Sequence, residues 1–295
     1  MNLAQVLDWL KDDPSFRANV THWEVLPARP ARYGGFPQGL DPRLIAALKA
    51  RGVQDLYTHQ TEAVAAALAG KSTVVVTPTA SGKTLCYNLP VLHAILQEPA
   101  SRALYLFPTK ALAQDQVAAL KELTQHLDVD IQAYVYDGDT PAPLRPHIRQ
   151  AGHIVVTNPD MLHQGILPHH TRWVRLFENL KYVIIDELHT YRGVFGSHVA
   201  NVIRRLRRIC QFYGSNPQFL CSSATIANPK ELAERLTGVP VELIDNNGAP
   251  QGERHLIFYN PPVVSRDGLR QPVLQAARHL RSEEHTSELQ SLRHL

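Results

Sequence analysis

The chain has 295 residues, 44% hydrophobic and 19% charged, with 30 Lys and Arg against 27 Asp and Glu and a formal net charge of +3. This is the composition of an ordinary soluble globular protein with one large domain or two small ones. The charge is too small to argue for nucleic acid by itself, and no run of about 18 apolar residues exists to span a membrane. Three cysteines, Cys86, Cys210 and Cys221, are odd in number and lack metal-ligand spacing, so they read as reduced thiols of a cytoplasmic protein. The N-terminus, Met1-Asn2-Leu3-Ala4-Gln5, has neither a basic flank nor a long apolar run, and no signal peptide is indicated.

Residues 1–50 read as an N-terminal extension. Val6, Leu7 and Leu10 line a short helix that Pro14 ends, and Pro27 to Pro42, rich in Pro, Arg and Gly, predicts an extended arm. Leu44 to Leu48 is a short helical pattern. Leu56-Tyr57-Thr58-His59-Gln60 then heads a helix with Ala63, Val64, Ala67 and Leu68 on its inner face. The Gln60 amide matches the donor and acceptor of the adenine N6/N7 edge, although a polar residue at a helix start is also commonplace.

Val74-Val75-Val76 predicts a buried strand, and Gly82-Lys83-Thr84 opens a helix that runs to Leu96. The loop between them is laid out as a phosphate cradle. Amides of Thr79, Ala80, Ser81 and Gly82 and of the helix N-terminus face the anion. Lys83 reaches the β- and γ-phosphates, and the Thr84 hydroxyl ligates Mg²⁺. The template's first glycine is Thr77 here, and a strand–turn–helix that merely contains Gly-Lys-Thr is the plain alternative.

Ala103 to Phe107 is the next strand; Pro108-Thr109-Lys110 leads from it into a helix whose N-terminus could hold a nucleic-acid phosphate or be an ordinary helix start. Ile131 to Tyr136 ends in Asp137-Gly138-Asp139, and His153 to Thr157 ends in Asn158-Pro159-Asp160. Strands alternating with helices predict an α/β fold, a mostly parallel sheet with helices on both faces and ligands at the carboxyl ends of the strands. Tyr182 to Ile185 runs into Asp186-Glu187-Leu188-His189. Asp186 is placed to hold Mg²⁺, usually through water, and Glu187 to orient and polarise an attacking water. Val199, Val202, Leu206 and Ile209 form an apolar stripe, and the arginines between them read as a solvated helix face. Phe219 to Ser222 is a strand ended by Ser223-Ala224-Thr225, Val241 to Ile244 is the last strand, and residues 246–268 read as a polar linker.

In this order the motifs resemble the first RecA-like P-loop domain of a superfamily 2 helicase of the DEAD/DEAH-box kind. The narrower stretches His189 to Ala200 and Ile244 to Pro250 resemble the mitomycin-repair helicase branch, relatives of the RecQ-like repair helicases. The resemblance implies a RecA-like ATP-binding domain over 51–245 and an ATP-dependent 3′–5′ DNA helicase or translocase. It implies ATP and Mg²⁺ as cofactors, with Lys83, Asp186, Glu187 and His189 as catalytic residues and Gln60 reading adenine. It also implies that His189 couples the ATP site to Ser223, Ala224 and Thr225. Pro108, Thr109, Lys110, Gly138, Thr157, Asn158 and Asp160 would meet a single-stranded or tailed DNA through backbone phosphate, independently of sequence and sensitive to salt.

Helicases of this kind carry a second RecA-like domain whose arginine fingers complete the ATP site. Residues 269–280 are expected to begin it, and the rest of it is missing from this chain. Residues 281–295 resemble the in-frame translation of a short-read sequencing adapter, and are read as non-native; a terminal amphipathic helix is the alternative. These residues alone are expected to bind ATP weakly and hydrolyse it near background. An RNA-remodelling ATPase of the same fold and a non-catalytic nucleotide- or nucleic-acid-binding module remain open beside the DNA helicase.

Overall fold

The computed structural model describes residues 3–127, 129–263 and 268–270. The expected start of a second domain, beyond Arg270, and the adapter-like stretch 281–295 lie outside the described residues. The principal elements begin with α1 (Leu3–Asp12), α2 (Pro14–Arg17), β1 (Val20–Leu26), α3 (Pro42–Ala50), α4 (Thr58–Leu68), β2 (Thr73–Val76), α5 (Lys83–Gln97), β3 (Arg102–Leu106) and α6 (Lys110–Thr124). They continue with β4 (Ala133–Val135), α7 (Leu144–Ala151), β5 (Ile154–Thr157), α8 (Pro159–Met161), α9 (Val174–Glu178) and β6 (Leu180–Ile185). The last are α10 (Gly193–Phe212), β7 (Gln218–Ser223), α11 (Pro229–Thr237), β8 (Glu242–Ile244) and β9 (Arg254–Tyr259). Among the described residues two compact units result, one from Ala31 to Ala249, the other joining those up to Pro30 to those from Pro250 on.

The Ala31–Ala249 unit is built on a seven-stranded sheet in the order β4-β5-β3-β6-β7-β2-β8, with parallel pairings throughout. Every residue of β2, β3 and β5 is buried. Strands covered on both faces read as continuous apolar runs, which is why the sequence pattern located them. Along β3, Ala103 and Tyr105 enter one hydrophobic cluster while Leu104 and Leu106 enter another, so the sheet separates two cores. α4, α5 and α6 cover the first, with Val64, Leu92 and Leu120 buried there; α9 and α10 cover the second, with Phe177, Ile203 and Leu206. Leu106 pairs with Thr157 on one side and Ile185 on the other, and Val76 pairs with Ser223. The strand ends are therefore aligned, and parallel topology puts every turn that follows them on one rim.

Two expected boundaries change. Residues 31–50 are not an appendage: Asp41 caps α3, and Leu44, Ala47 and Leu48 of that helix are buried in the first core. Residues 246–268 are not only a linker, because β9 lies within them and pairs antiparallel with β1 from Val20↔Tyr259 to Leu26↔Arg254. The pairing is held together by aromatics. Phe16 stacks on Tyr259 at 5.1 Å and meets Trp23 edge-on at 6.3 Å, and the Trp23 indole donates to His255 Nδ1 at 3.0 Å. All three cysteines are free and buried. Among the described residues no helix is long and apolar enough to cross a membrane.

Candidate functional site

The loop after β2 is braced from inside. Thr77 and Ser81 are 1% and 3% exposed, and their hydroxyls lie 2.5 Å apart. The residue that departs from the glycine of the template thus closes the loop across its base. Ala80 and Gly82 have φ of 61° and 77°, a region glycine enters without steric cost and alanine does not. Lys83 opens α5, and its Nζ donates to the Thr77 carbonyl at 2.9 Å and the Pro78 carbonyl at 3.0 Å. Burial lowers the Lys83 pKa, and the opposite charges of Glu187 and Asp186 resist that shift.

Gln60 holds this loop from α4. Its Oε1 accepts from Tyr57 N at 2.9 Å and its Nε2 donates to Gly82 O at 2.9 Å. A side-chain amide has two N–H donors and two acceptor lone pairs, so one of each remains, enough for a bidentate contact.

The acidic pair ends β6. Asp186 Oδ1 accepts from Glu187 N at 2.9 Å and from the Ser222 hydroxyl, and Oδ2 accepts from the Tyr87 hydroxyl at 3.2 Å. Tyr87 lies one helical turn beyond Lys83 on α5. Its phenol thus ties the helix that carries Thr84 to Asp186, Thr84 and Asp186 being the two expected metal ligands. Glu187 sits at φ 51°, a strained left-handed conformation for a residue with a Cβ. Burial and then the Asp186 charge raise its pKa, against the pull of His189 and Lys83. His189 Nδ1 is 3.2 Å from Glu187 Oε2 and 3.4 Å from Ala224 N. One nitrogen serves one partner at a time: protonated it faces the carboxylate, bare it accepts the Ala224 amide. Ser223 is buried with its hydroxyl unpaired, and Thr225 is exposed.

The turns expected to meet nucleic acid follow three neighbouring strands, β4, β5 and β3. Thr109 caps α6, accepting from Leu112 N at 3.4 Å, and Lys110 pairs with Asp139 across to the turn after β4. Pro108 is half-buried, while Gly138 and Asp160 are exposed. Asn158 caps α8, its Oδ1 accepting from Met161 N at 2.8 Å. Thr157 corrects the expectation: it is 2% exposed, and its hydroxyl donates to the Tyr136 carbonyl at 2.6 Å. The pleat turns it inward, where it pins β5 to the end of β4 and presents no surface to a strand.

The family profile described as DEAD/DEAH box helicase matches residues 57–232, which hold the loop, the acidic pair and the turns just described. The chain belongs to the DEAD/DEAH box helicase family. This DEAD/DEAH box chain is 62% identical over 248 residues to the uncharacterized ATP-dependent helicase YprA of Bacillus subtilis (strain 168), covering 84% of the chain and 33% of that protein. It is 38% identical over 267 residues to the ATP-dependent helicase HRQ1 of Saccharomyces cerevisiae (strain ATCC 204508 / S288c), covering 89% of the chain and 24% of that protein. The crystal structure of the DUF1998 helicase MrfA bound to DNA and AMPPNP superposes with a TM-score of 0.91 at 57% identity, over 96% of this chain and 39% of that one. The DEAD-box helicase Mss116 bound to ssRNA and UDP-BeF, at 18% identity and a TM-score of 0.60, covers 70% of this chain and 44% of that one and shares the fold. The chain thus spans a third or less of the two relatives' own length.

Tyr87, Ser222 and His59 were not among the residues singled out from the sequence. Tyr87 carried a usable signal, since the position four after the loop lysine faces the same way as the lysine does. Ser222 carried none, because its meeting with Asp186 depends on β7 lying beside β6.

Proposed function

We propose that the Ala31–Ala249 unit is the ATP-binding half of an ATP-dependent DNA helicase or translocase that moves 3′ to 5′ and acts in DNA repair. The observation that carries this reading is the meeting at one rim of the loop after β2 with the acidic pair that ends β6: Tyr87, on the helix that Lys83 and Thr84 open, donates to Asp186 Oδ2 at 3.2 Å. Lys83 and the loop amides hold the phosphates, Lys83 exchanging its two loop carbonyls for β- and γ-phosphate oxygens. Gln60 uses its remaining donor and acceptor on adenine.

The donor set fits Mg²⁺. Thr84 and Asp186 offer hard oxygens, and among the described residues no group of three or more His, Cys, Asp or Glu is gathered to hold a metal. Such a partial set suits an ion that keeps waters and shares phosphate oxygens. Bound there, Mg²⁺ would neutralise charge on those oxygens. Glu187 orients the attacking water and accepts its proton as the water oxygen bonds to the γ-phosphorus and the bond to ADP breaks. A carboxylate with a raised pKa is the better base for this. His189, alternating between Glu187 and the Ala224 amide, carries the state of the site to Ser223 and Thr225.

On the other part of the rim, Thr109, Lys110, Gly138, Asn158 and their neighbours hold a single strand by its phosphates. DNA is favoured over RNA by the bound DNA in the MrfA structure at 57% identity. The test is ATP binding by this chain, and turnover by the full-length protein, with single-stranded DNA and RNA of one sequence. DNA is expected to stimulate, and Lys83→Ala to abolish binding. Stimulation by RNA alone would move the reading to an RNA-remodelling ATPase, and unaltered binding by Lys83→Ala would remove it.

A further inference from the structure

His59, beside the adenine-reading candidate, is fully buried and stacked on Tyr57, with ring centroids 6.0 Å apart and an interplanar angle of 15°. Gly248 N donates to its Nδ1 at 3.2 Å. A backbone N–H can only donate, so Nδ1 is the bare nitrogen and Nε2 carries the proton. Nε2 lies 3.1 Å from the Ser81 carbonyl and donates to it. The imidazole is thus a neutral tie with one end on the phosphate loop and the other on the segment after β8. Burial, the largest influence, lowers its pKa; Lys83 adds to that, and the Ser81 bond and Glu62 oppose it.

The far end of the tie is itself firmly built. Arg32 N donates to the Gly248 carbonyl at 2.8 Å, and Arg32 Nη2 donates to Asn247 O at 2.8 Å and Asn246 Oδ1 at 2.7 Å. Asn246 O accepts from the Thr58 hydroxyl at 3.2 Å, and Asn246 Nδ2 donates to Glu62 Oε1 at 2.9 Å. Residue 248 has no room for a side chain: a Cβ there would lie 2.4 Å from Thr58 Oγ1 and 2.5 Å from the Arg32 carbonyl. Thr58, His59, Gln60 and Glu62 all belong to the first turns of α4. Two adjacent residues of one helix therefore hold two adjacent loop carbonyls, His59 that of Ser81 and Gln60 that of Gly82.

We propose that His59 is a positioning residue of the nucleotide site, setting the shape of the phosphate loop from the strap Asn246–Gly248, so that displacing the strap loosens nucleotide binding without touching the nucleotide. This rests on the reading of the loop as a phosphate cradle. A histidine that only filled the core would affect stability and leave affinity alone.

The experiment titrates the 295-residue chain and its variants with fluorescent ATP and GTP analogues and records their melting. His59→Phe keeps the ring and removes both bonds; Gly248→Ala lifts the strap and leaves His59 in place. Each is expected to weaken both nucleotides by roughly five- to tenfold, equally for ATP and GTP because the loop meets only phosphates. The double variant should be no weaker than the worse single one, since both break one linkage. ¹⁵N spectra of the wild type give a second readout, free of any folding defect in the variants: a bare Nδ1 and protonated Nε2 on His59, shifting when ATP is added. A folded His59→Phe with wild-type affinity, losses that add in the double variant, or His59 nitrogens that ignore ATP would each overturn the proposal. Lys83→Ala separates the two readings. If it binds ATP as the wild type does, the phosphate cradle itself has failed; if it loses binding while the strap variants keep theirs, only the role of His59 has.

Discussion

Replacing Thr77 with valine exchanges a buried hydroxyl for a methyl group of nearly the same size. The packing of the loop base survives, and what is lost is the 2.5 Å contact between Thr77 and Ser81. Ser81 is 3% exposed, so water has little access to its hydroxyl once the partner is gone. A buried hydroxyl left without a partner costs about 1–3 kcal/mol. For a unit of this size each kcal/mol moves the melting temperature by roughly 2–4 °C, so Thr77→Val should melt about 2–12 °C below wild type. Calorimetry or far-UV melting measures this directly. Ser81→Ala should cost about as much, because it leaves the Thr77 hydroxyl, 1% exposed, without its partner. The double variant Thr77→Val/Ser81→Ala should cost little more than the worse single one, because removing both partners leaves no orphan. The lysine contact to the Thr77 carbonyl is backbone and is untouched in all three. A Thr77→Val protein that melts with the wild type, or a double variant that loses the sum of the two singles, would refute the view that this hydroxyl pair holds the loop.

In the full-length protein, Glu187→Gln should abolish phosphate release while leaving the affinity for a fluorescent ATP analogue within about twofold, since only the base is removed. Because burial raises the Glu187 pKa, the turnover of the full-length wild type should fall as pH drops through a value above the ordinary carboxylate range; a flat profile there would deny it the role of base. Gln60→Ala should weaken ATP more than GTP, although GTP binding should also suffer because Gln60 holds the Gly82 carbonyl; equal losses would leave it a loop brace and nothing more. Asp41 caps α3 through Arg43 N at 2.9 Å and is bound by the Arg43 guanidinium, which with a Gln97 contact holds its pKa down to about 2. Asp41→Ala should cost about 1–2 kcal/mol at neutral pH. The charge contribution of Asp41 is present above the unfolded carboxylate pKa and disappears as pH falls through the folded value. The stability gap between wild type and variant, followed by urea titration, should therefore narrow from about pH 4 downward.

The sheet was readable because its chemistry is local. Thr73–Val76, Arg102–Leu106 and Ile154–Thr157 are short apolar runs buried on both faces, each followed by a polar turn, and their observed limits fall within a residue or so of those expected. The pair β1 and β9 was not readable. β1 is mostly exposed and mixes His and Glu with apolar residues, β9 is half exposed and opens on Arg and His, and each finds its partner across more than two hundred positions, so neither carries a sign of the other. Pro261-Pro262 and Asn246-Asn247-Gly248 bracket β9, and with them the whole segment reads as a linker, which hid the strand further.

The site divides along the same line. Lys83, Asp186 and Glu187 were legible because they end apolar strands, but what holds Asp186 depends on strand order. β7 lies between β2 and β6, which brings Ser222 against Asp186 Oδ1 and puts Ala224 beside His189. With β2 and β6 as direct neighbours, the phosphate loop and the acidic pair could still share a metal, but no strand end would stand between them to feel both. In the coupling proposed above, the inserted strand is the physical link by which a change at the nucleotide would reach Ser223 and Thr225. That dependence can be tested at Ser222. Ser222→Ala removes the donor to Asp186 and leaves β7 in place, so in the full-length protein it should slow turnover while sparing ATP affinity, whereas loss of both together would mean that β7 only props the fold.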